Sequence, residues 1–430
     1  MQSTPSQSPS RSRRRYAPPP LTRGGGETFR GSVVLEEVEG PAGVLLWKSL
    51  RSVLLWAEVL PEERAALFLP GAKRRRLADL RAAGMDTALK APLRVLTRAL
   101  DSSTPATADA LATACRQVSM WADEQGKLGT ALAFMQAAAL TAPEDAEAAY
   151  LTGRLARRRA EYARAETWFH QAIIVARRNG DRKARALAFI GLGNLHLQRG
   201  NFPAARRVLT TALKTARRSG LHEIEGMASH DLFAIADDGG RVQEAEIHAA
   251  NALRSYGARH PRLPNLANDV AYFWMNQGQF SRALPVFRAV LPHIHQRRER
   301  LLTLSSIARA AGALSDESEF DRAWSRAWEI IEANSTEEGA AQALVLLAQG
   351  AADLRDRERM ERAASRALQA AGERGEAQVQ FLVEAVRASV QSVTHAPEPF
   401  GRSSEQPSSQ AHVLAREFVT LLEPVAAVHT

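Results

Sequence analysis

An alanine recurs down this chain at Ala131, Ala165, Ala205, Ala245, Ala283, Ala323 and Ala363, at steps of 34, 40, 40, 38, 40 and 40 residues. Each copy brings the same companions. Three residues earlier stands a large apolar side chain: Leu128, Tyr162, Phe202, Val242, Phe280, Phe320 and Met360. Twelve residues earlier stands a small one in every copy but the fourth, which has Phe233 instead: Ser119, Gly153, Gly193, Ala271, Ala311 and Ala351. Small residues facing one another at helical spacing let two short antiparallel helices approach almost backbone to backbone, so each copy reads as a helix-turn-helix pair. Gly126, Gly200, Gly240 and Gly278 lie five residues before their alanines, where a first helix ends in a left-handed glycine.

With Leu192-Gly193, Phe202, Ala205 and Ala212-Leu213 as its clearest copy, this pattern resembles the tetratricopeptide repeat family, whose period is about 34 residues. The longer steps resemble the branch of that family with lengthened second helices, which includes kinesin light chains and bacterial peptide-sensing regulators. The resemblance covers roughly residues 106–375. It implies an all-α, right-handed α-solenoid of about seven repeats, and a surface that binds other molecules rather than a particular chemistry. The family's carboxylate clamp needs lysines at inner positions. This chain keeps Asn194 and lacks those lysines, so that activity is not implied.

The flanks read differently. Residues 1–27 are rich in Ser, Pro, Gly and Arg and have nothing to bury, which predicts a disordered basic tail. Residues 28–105 read as an N-terminal helical cap. Within it, residues 33–38 suggest a short strand or extended turn, and residues 43–60 a helix apolar nearly all round. A cap under the first repeat explains that helix best. Trp47, Trp56, Lys48 and Arg51 would also suit a membrane-surface helix, and Lys73 to Arg76 a helix-turn-helix, but neither pattern is complete. After the array come a solvating helix (376–393), a linker and a short amphipathic helix within 394–430, the last over 411–422.

No run approaches the roughly 18 apolar residues that span a bilayer. The single cysteine, Cys115, excludes an intramolecular disulfide. With no secretory signal pattern either, a cytoplasmic location is expected. No catalytic set, cofactor motif or metal-ligand spacing stands out. Gly191-Leu192-Gly193 lacks the preceding strand and third glycine of a dinucleotide fingerprint and reads as packing. His293 and His295 are two apart and would face different ways on a helix. An enzyme is not expected.

Binding residues are therefore sought on the inner face, which in this family the first helices line. Helical spacing places Tyr150, Arg154, Arg157 and Arg158 there in the second repeat, Asn194 in the third, and His230 and Asp231 in the fourth. In the fifth it places Asn265, Asn268, Asp269, Tyr272 and Asn276. The sign of charge changes along this face. Asparagines can pair with a peptide backbone through their donor and acceptor, so a protein or peptide segment is the expected ligand, its acidic or phosphorylated part at the arginines and its other end toward Asn268 and Asn276.

A second reading rests on charge alone. The chain carries a formal +9, and residues 146–220 hold 16 Lys/Arg against 4 Asp/Glu. Arg177, Arg178, Arg182, Lys183, Arg185, Arg206, Arg207, Lys214, Arg217 and Arg218 fall on second helices and loops, mostly on the outer face. That outer face, with the basic tail, could contact nucleic acid in a signal-responsive regulator. The sequence leaves the oligomeric state open.

Overall fold

The computed structural model describes residues 32–101, 106–333, 338–391 and 409–422; the expected tail (1–27) and most of the linker lie outside them. Among the described residues there is helix and no strand. The chain divides into two compact units, Met1–Asp231 and Leu232–Thr430. The cap comprises α1 (Val33–Glu37), α2 (Gly40–Glu58), α3 (Ala72–Ala82) and α4 (Thr87–Leu96). Seven helix pairs follow. In chain order they are α5 (Ala108–Glu124) with α6 (Leu128–Thr141), α7 (Ala146–Arg158) with α8 (Tyr162–Asn179), α9 (Arg182–Gln198) with α10 (Phe202–Arg218), and α11 (His222–Asp238) with α12 (Val242–Tyr256). The last three are α13 (Leu263–Asn276) with α14 (Phe280–Val290), α15 (Arg297–Ala313) with α16 (Glu317–Ala333), and α17 (Ala340–Asp353) with α18 (Arg357–Arg374). The unit boundary falls inside α11.

All seven pairs turn in the same way. Gly126, Ala160, Gly200, Gly240, Gly278, Ser315 and Arg355 adopt left-handed φ between 58° and 72°. The residue after each donates its N–H back across the helix end, as Asn201 does to His196 O at 2.9 Å and Asp356 to Ala351 O at 2.9 Å. This Schellman closure satisfies carbonyls the helix would leave orphaned. It also corrects the alanine register. The left-handed residue precedes Ala131, Ala165, Ala205, Ala245 and Ala283 by five residues but Ala323 and Ala363 by eight, so the equivalents in pairs six and seven are Phe320 and Met360. Both candidates in each pair are buried, because positions three apart share one helix face. Three of the seven turns lack glycine, and a left-handed L-residue costs roughly 1–2 kcal/mol. Ala160→Gly is expected to raise stability by about 0.5–1 kcal/mol, after allowing for glycine's extra freedom in the unfolded chain; a denaturant midpoint that does not rise would contradict it.

Packing within unit 1 explains the paired glycines. Phe169 of α8 is fully buried, wedged between the first helices on either side. A Cβ at Gly153 would stand 2.7 Å from its Cδ1, and one at Gly191 2.3 Å from its Cε1. Gly193 seats Leu209 in the same manner, its added Cβ meeting Leu209 Cγ at 2.6 Å. Gly191 and Gly193 are thus side-chain seats, the packing reading of that motif.

The cap joins this core. Leu45, Leu46, Leu50, Val53 and Trp56 of α2 are buried with Leu111, Cys115 and Val118 of α5 and Phe134 of α6. The buried apolar side of α2 is thereby spent on the first repeat, while Val44 and Leu55 stay exposed. Burial pushes the Cys115 thiol far up. Residues 33–37 are helix rather than the expected strand, because α1 serves as a clip. Its Glu37 carboxylate accepts from Gly129 N at 2.8 Å and Thr130 N at 2.7 Å, and Lys127 Nζ donates to Glu37 O at 2.6 Å. Helix α6 has no side-chain cap of its own; a carboxylate from ninety residues upstream supplies it.

In unit 2, α19 (Gln378–Gln391) packs on α17 and α18, and α20 (Ser409–Leu422) folds back on α14. The buried stripe of α20 is Ala411, Leu414, Ala415, Phe418 and Leu422, and His293 Nε2 donates to Leu422 O at 2.8 Å. Among the described residues no helix is long and apolar enough to cross a membrane.

Candidate functional site

In unit 1 most of the candidate residues lie on α7. Asp145 starts that helix by accepting from Ala148 N at 3.0 Å, and burial of Ala148, Ala149, Thr152, Gly153, Leu155 and Ala156 turns the remaining side outward. That side carries Arg154, Arg157 and Arg158. Arg158 is tied to Asp123 of α5, whereas Arg154 is exposed and forms no ion pair among the described residues. Arg157 is half-buried. Burial lowers its guanidinium from arginine's ordinary value, Tyr150 and Asp231 favour its charge, and Arg154 and Arg158 oppose it. It remains a cation, as arginine does in proteins, and its Nε has no hydrogen-bond partner among the described residues. Asn194, His230 and Asp231 are half-buried. Tyr150 departs from expectation: it is 8 % exposed and packs against Phe169 with ring centroids 6.2 Å apart. The heptad-like spacing that put it beside the arginines also suits the adjoining core face, and an aromatic ring gains more there.

In unit 2 the corresponding face is polar and acidic. Asn265, Asp269 and Asn276 are exposed on α13. Asn268 Oδ1 accepts from Thr303 Oγ1 at 3.2 Å, and Tyr272 OH accepts from Gln342 Nε2 of α17 at 3.1 Å. The second contact reaches past α15, so this face is partly closed by its own side chains. Burial, then Asp238 and Asp269, raise the Asp237 carboxyl above its usual range. Arg309 of α15 was not foreseen. It pairs with Asp353 of α17 and lies 4.9 Å from the Phe280 ring, and burial lowers it to about 10. Carrying the same helical stripe into α15 and α17 would have found both residues. A shallow recess of about 470 Å³ in this unit, lined by Leu291, Leu304, Ile307, Ala323 and Arg326 among others, holds none of the candidates.

Among the described residues no group of three His, Cys, Asp or Glu side chains is placed to hold a metal ion. What the arrangement offers is recognition: a cluster of guanidinium groups on one face of unit 1, of which Arg154 has no ion pair among the described residues, and amides and carboxylates on one face of unit 2.

No protein-family model matches the sequence, and no curated protein matches it. Several solved structures do. Aspartyl phosphate phosphatase F from Bacillus subtilis is 12% identical with a TM-score of 0.47, over 85% of this chain and 96% of that one. A Rap protein complexed with competence and sporulation factor is 13% identical with a TM-score of 0.42, over 80% and 98%. BtubC from P. vanneervenii is 16% identical with a TM-score of 0.40, over 53% and 92%. The fold assignment stands on the helix pairing of this chain itself, which among the described residues is an all-α array of antiparallel helix pairs.

Proposed function

We propose that this repeat array is a non-enzymatic scaffold that holds a segment of another protein against its first helices, with an acidic or phosphorylated stretch seated at Arg154, Arg157 and Arg158. The observation that carries the reading is Arg157. Its guanidinium is half withdrawn from water, and its buried Nε has no hydrogen-bond partner among the described residues. Arg154 adds an exposed cation one helical turn before it. A carboxylate or phosphate arriving there gains charge-assisted hydrogen bonds in a setting where solvent screens them less than at an open surface. In unit 2, Asn265 and Asn276 are suited to pairing with the backbone of an extended segment, while Asn268 already uses its carbonyl oxygen on Thr303.

The test is titration of the full-length protein with acidic and phosphorylated peptides, read by fluorescence polarisation. Replacing Arg154, Arg157 and Arg158 together by Glu is expected to weaken binding by about 1.5–3 kcal/mol, the worth of one hydrogen bond to a charged group, with helix content unchanged. Saturable binding that survives moderate salt is also expected. Peptide binding that ignores this triple and falls instead with Arg206→Glu and Arg207→Glu would move the ligand off the first helices.

A further inference from the structure

The charge of unit 1 is distributed unevenly once the helices are in place. Helix α10 contains Arg206, Arg207, Lys214, Arg217 and Arg218 and no Asp or Glu at all. Its apolar stripe of Leu209, Ala212, Leu213 and Ala216 is buried, so the cations occupy the opposite side. Arg217 is paired with Glu225 at 2.7 Å. Arg207, Lys214 and Arg218 are exposed and have no ion-pair partner among the described residues. The same holds for Arg177 at the end of α8 and for Arg182 and Lys183 at the start of α9, whereas Arg178 is held by Glu144 and Arg199 by Glu166.

We infer that the outer side of α10, with the adjoining ends of α8 and α9, docks the phosphate backbone of a nucleic-acid duplex. The second helices of unit 2 serve as an internal comparison. There Arg322 pairs with Glu319, Arg359 with Asp321, Arg362 with Glu332, and Arg387 of α19 with Glu361, while Arg326 and Arg357, which have no ion pair among the described residues, share their helices with several acidic side chains. An arginine-rich composition by itself would mix the signs on α10 as it does on α16 and α18. On α10 it does not, even though Lys214 and Arg218 stand one turn apart and like charges at that spacing destabilise a helix.

The shape of the patch narrows the partner. From Arg207 to Arg218 the row is about 16 Å long at roughly 1.5 Å per residue, enough to meet several phosphates of one strand. Thr210, Thr211 and Thr215 donate their hydroxyls to carbonyls of their own helix at 2.7, 3.0 and 2.8 Å, so contact here is by charge and carries no base readout. A single strand would require aromatic platforms along the row; Phe202 alone is exposed, at its beginning. An anionic membrane surface would require an apolar helix face to enter it, and that of α10 is inside the repeat.

The experiment follows a labelled random-sequence duplex by anisotropy between about 50 and 200 mM salt. Six unpaired cations predict a log–log salt slope near −5, at about 0.9 per phosphate neutralised. Changing Arg207, Lys214 and Arg218 together to Ala should make that slope shallower by about 3, without loss of helical circular dichroism. A charge-matched triple in unit 2 (Arg322→Ala, Arg326→Ala, Arg357→Ala) should leave it unchanged. The inference is overturned if the duplex fails to bind at the low-salt end or if both triples reduce the slope equally. It is likewise overturned if phosphatidylserine vesicles or acidic peptides, but not duplex, respond to the α10 triple. The arginines of α7 are intact in both triples, so a failure here leaves the proposed peptide site standing.

Discussion

Gly312→Ala is expected to lower the stability of unit 2 by about 3 kcal/mol, the upper part of the usual overpacking range. A Cβ at Gly312 would stand 2.3 Å from Gly350 O and 2.7 Å from Gly350 Cα. Both are backbone atoms, so no side-chain rotation relieves the clash. Helices α15 and α17 must separate, and Leu304, Ile307, Leu344 and Leu347, all buried nearby, lose contact as they do. Gly193→Ala should cost less, since the atom it meets belongs to the Leu209 side chain. Gly372 in α18 is the control: nothing lies within 4 Å of its added Cβ, and Gly372→Ala should stabilise by about 0.5–1 kcal/mol through helix propensity alone. Guanidinium unfolding followed by circular dichroism would rank the three. Equal midpoints would mean that the close approach of α15 and α17 does not exist.

Glu37→Ala is expected to cost about 2–4 kcal/mol in unit 1. The carboxylate accepts two backbone N–H groups at the start of α6, each worth about 1.5–3 kcal/mol when the acceptor is charged. The partial positive charge of the helix terminus adds to this, while water reaching the emptied site recovers some of it. Glu37→Gln keeps an acceptor and should lose about half as much. Hydrogen exchange gives the sharper reading, because the amides of Gly129 and Thr130 should lose protection in Glu37→Ala before the rest of the unit does. Unchanged protection at those two amides would show that α1 does not cap α6.

These two predictions rest on features of different legibility. The seven turns were visible wherever glycine occupied the left-handed position, at Gly126, Gly200, Gly240 and Gly278. Ala160, Ser315 and Arg355 take up the same geometry, but their side chains announce nothing. In pairs six and seven the alanine register ran one turn late, since Phe320 and Ala323, like Met360 and Ala363, are all buried on one face. Of the binding candidates, Arg154 and Asn276 are exposed where helical spacing put them, while Tyr150 turned into the core. Spacing defines a stripe about a third of a helix wide, and at its edge a neighbouring helix decides whether a side chain meets solvent or Phe169.

What the sequence by itself determined is local: helix, turn and the small residues that let each pair close, because those depend on contacts between residues a few turns apart. Only the tertiary structure decided which cations keep their charge uncompensated, since Arg158 meets Asp123, Arg178 meets Glu144 and Arg217 meets Glu225 across helix boundaries, whereas Arg154, Arg207 and Lys214 meet no carboxylate among the described residues. It alone revealed Glu37 on α6 and Gly312 against Gly350. Those pairings join residues tens of positions apart, at distances set by how the helices stack, and no periodicity along the chain encodes them.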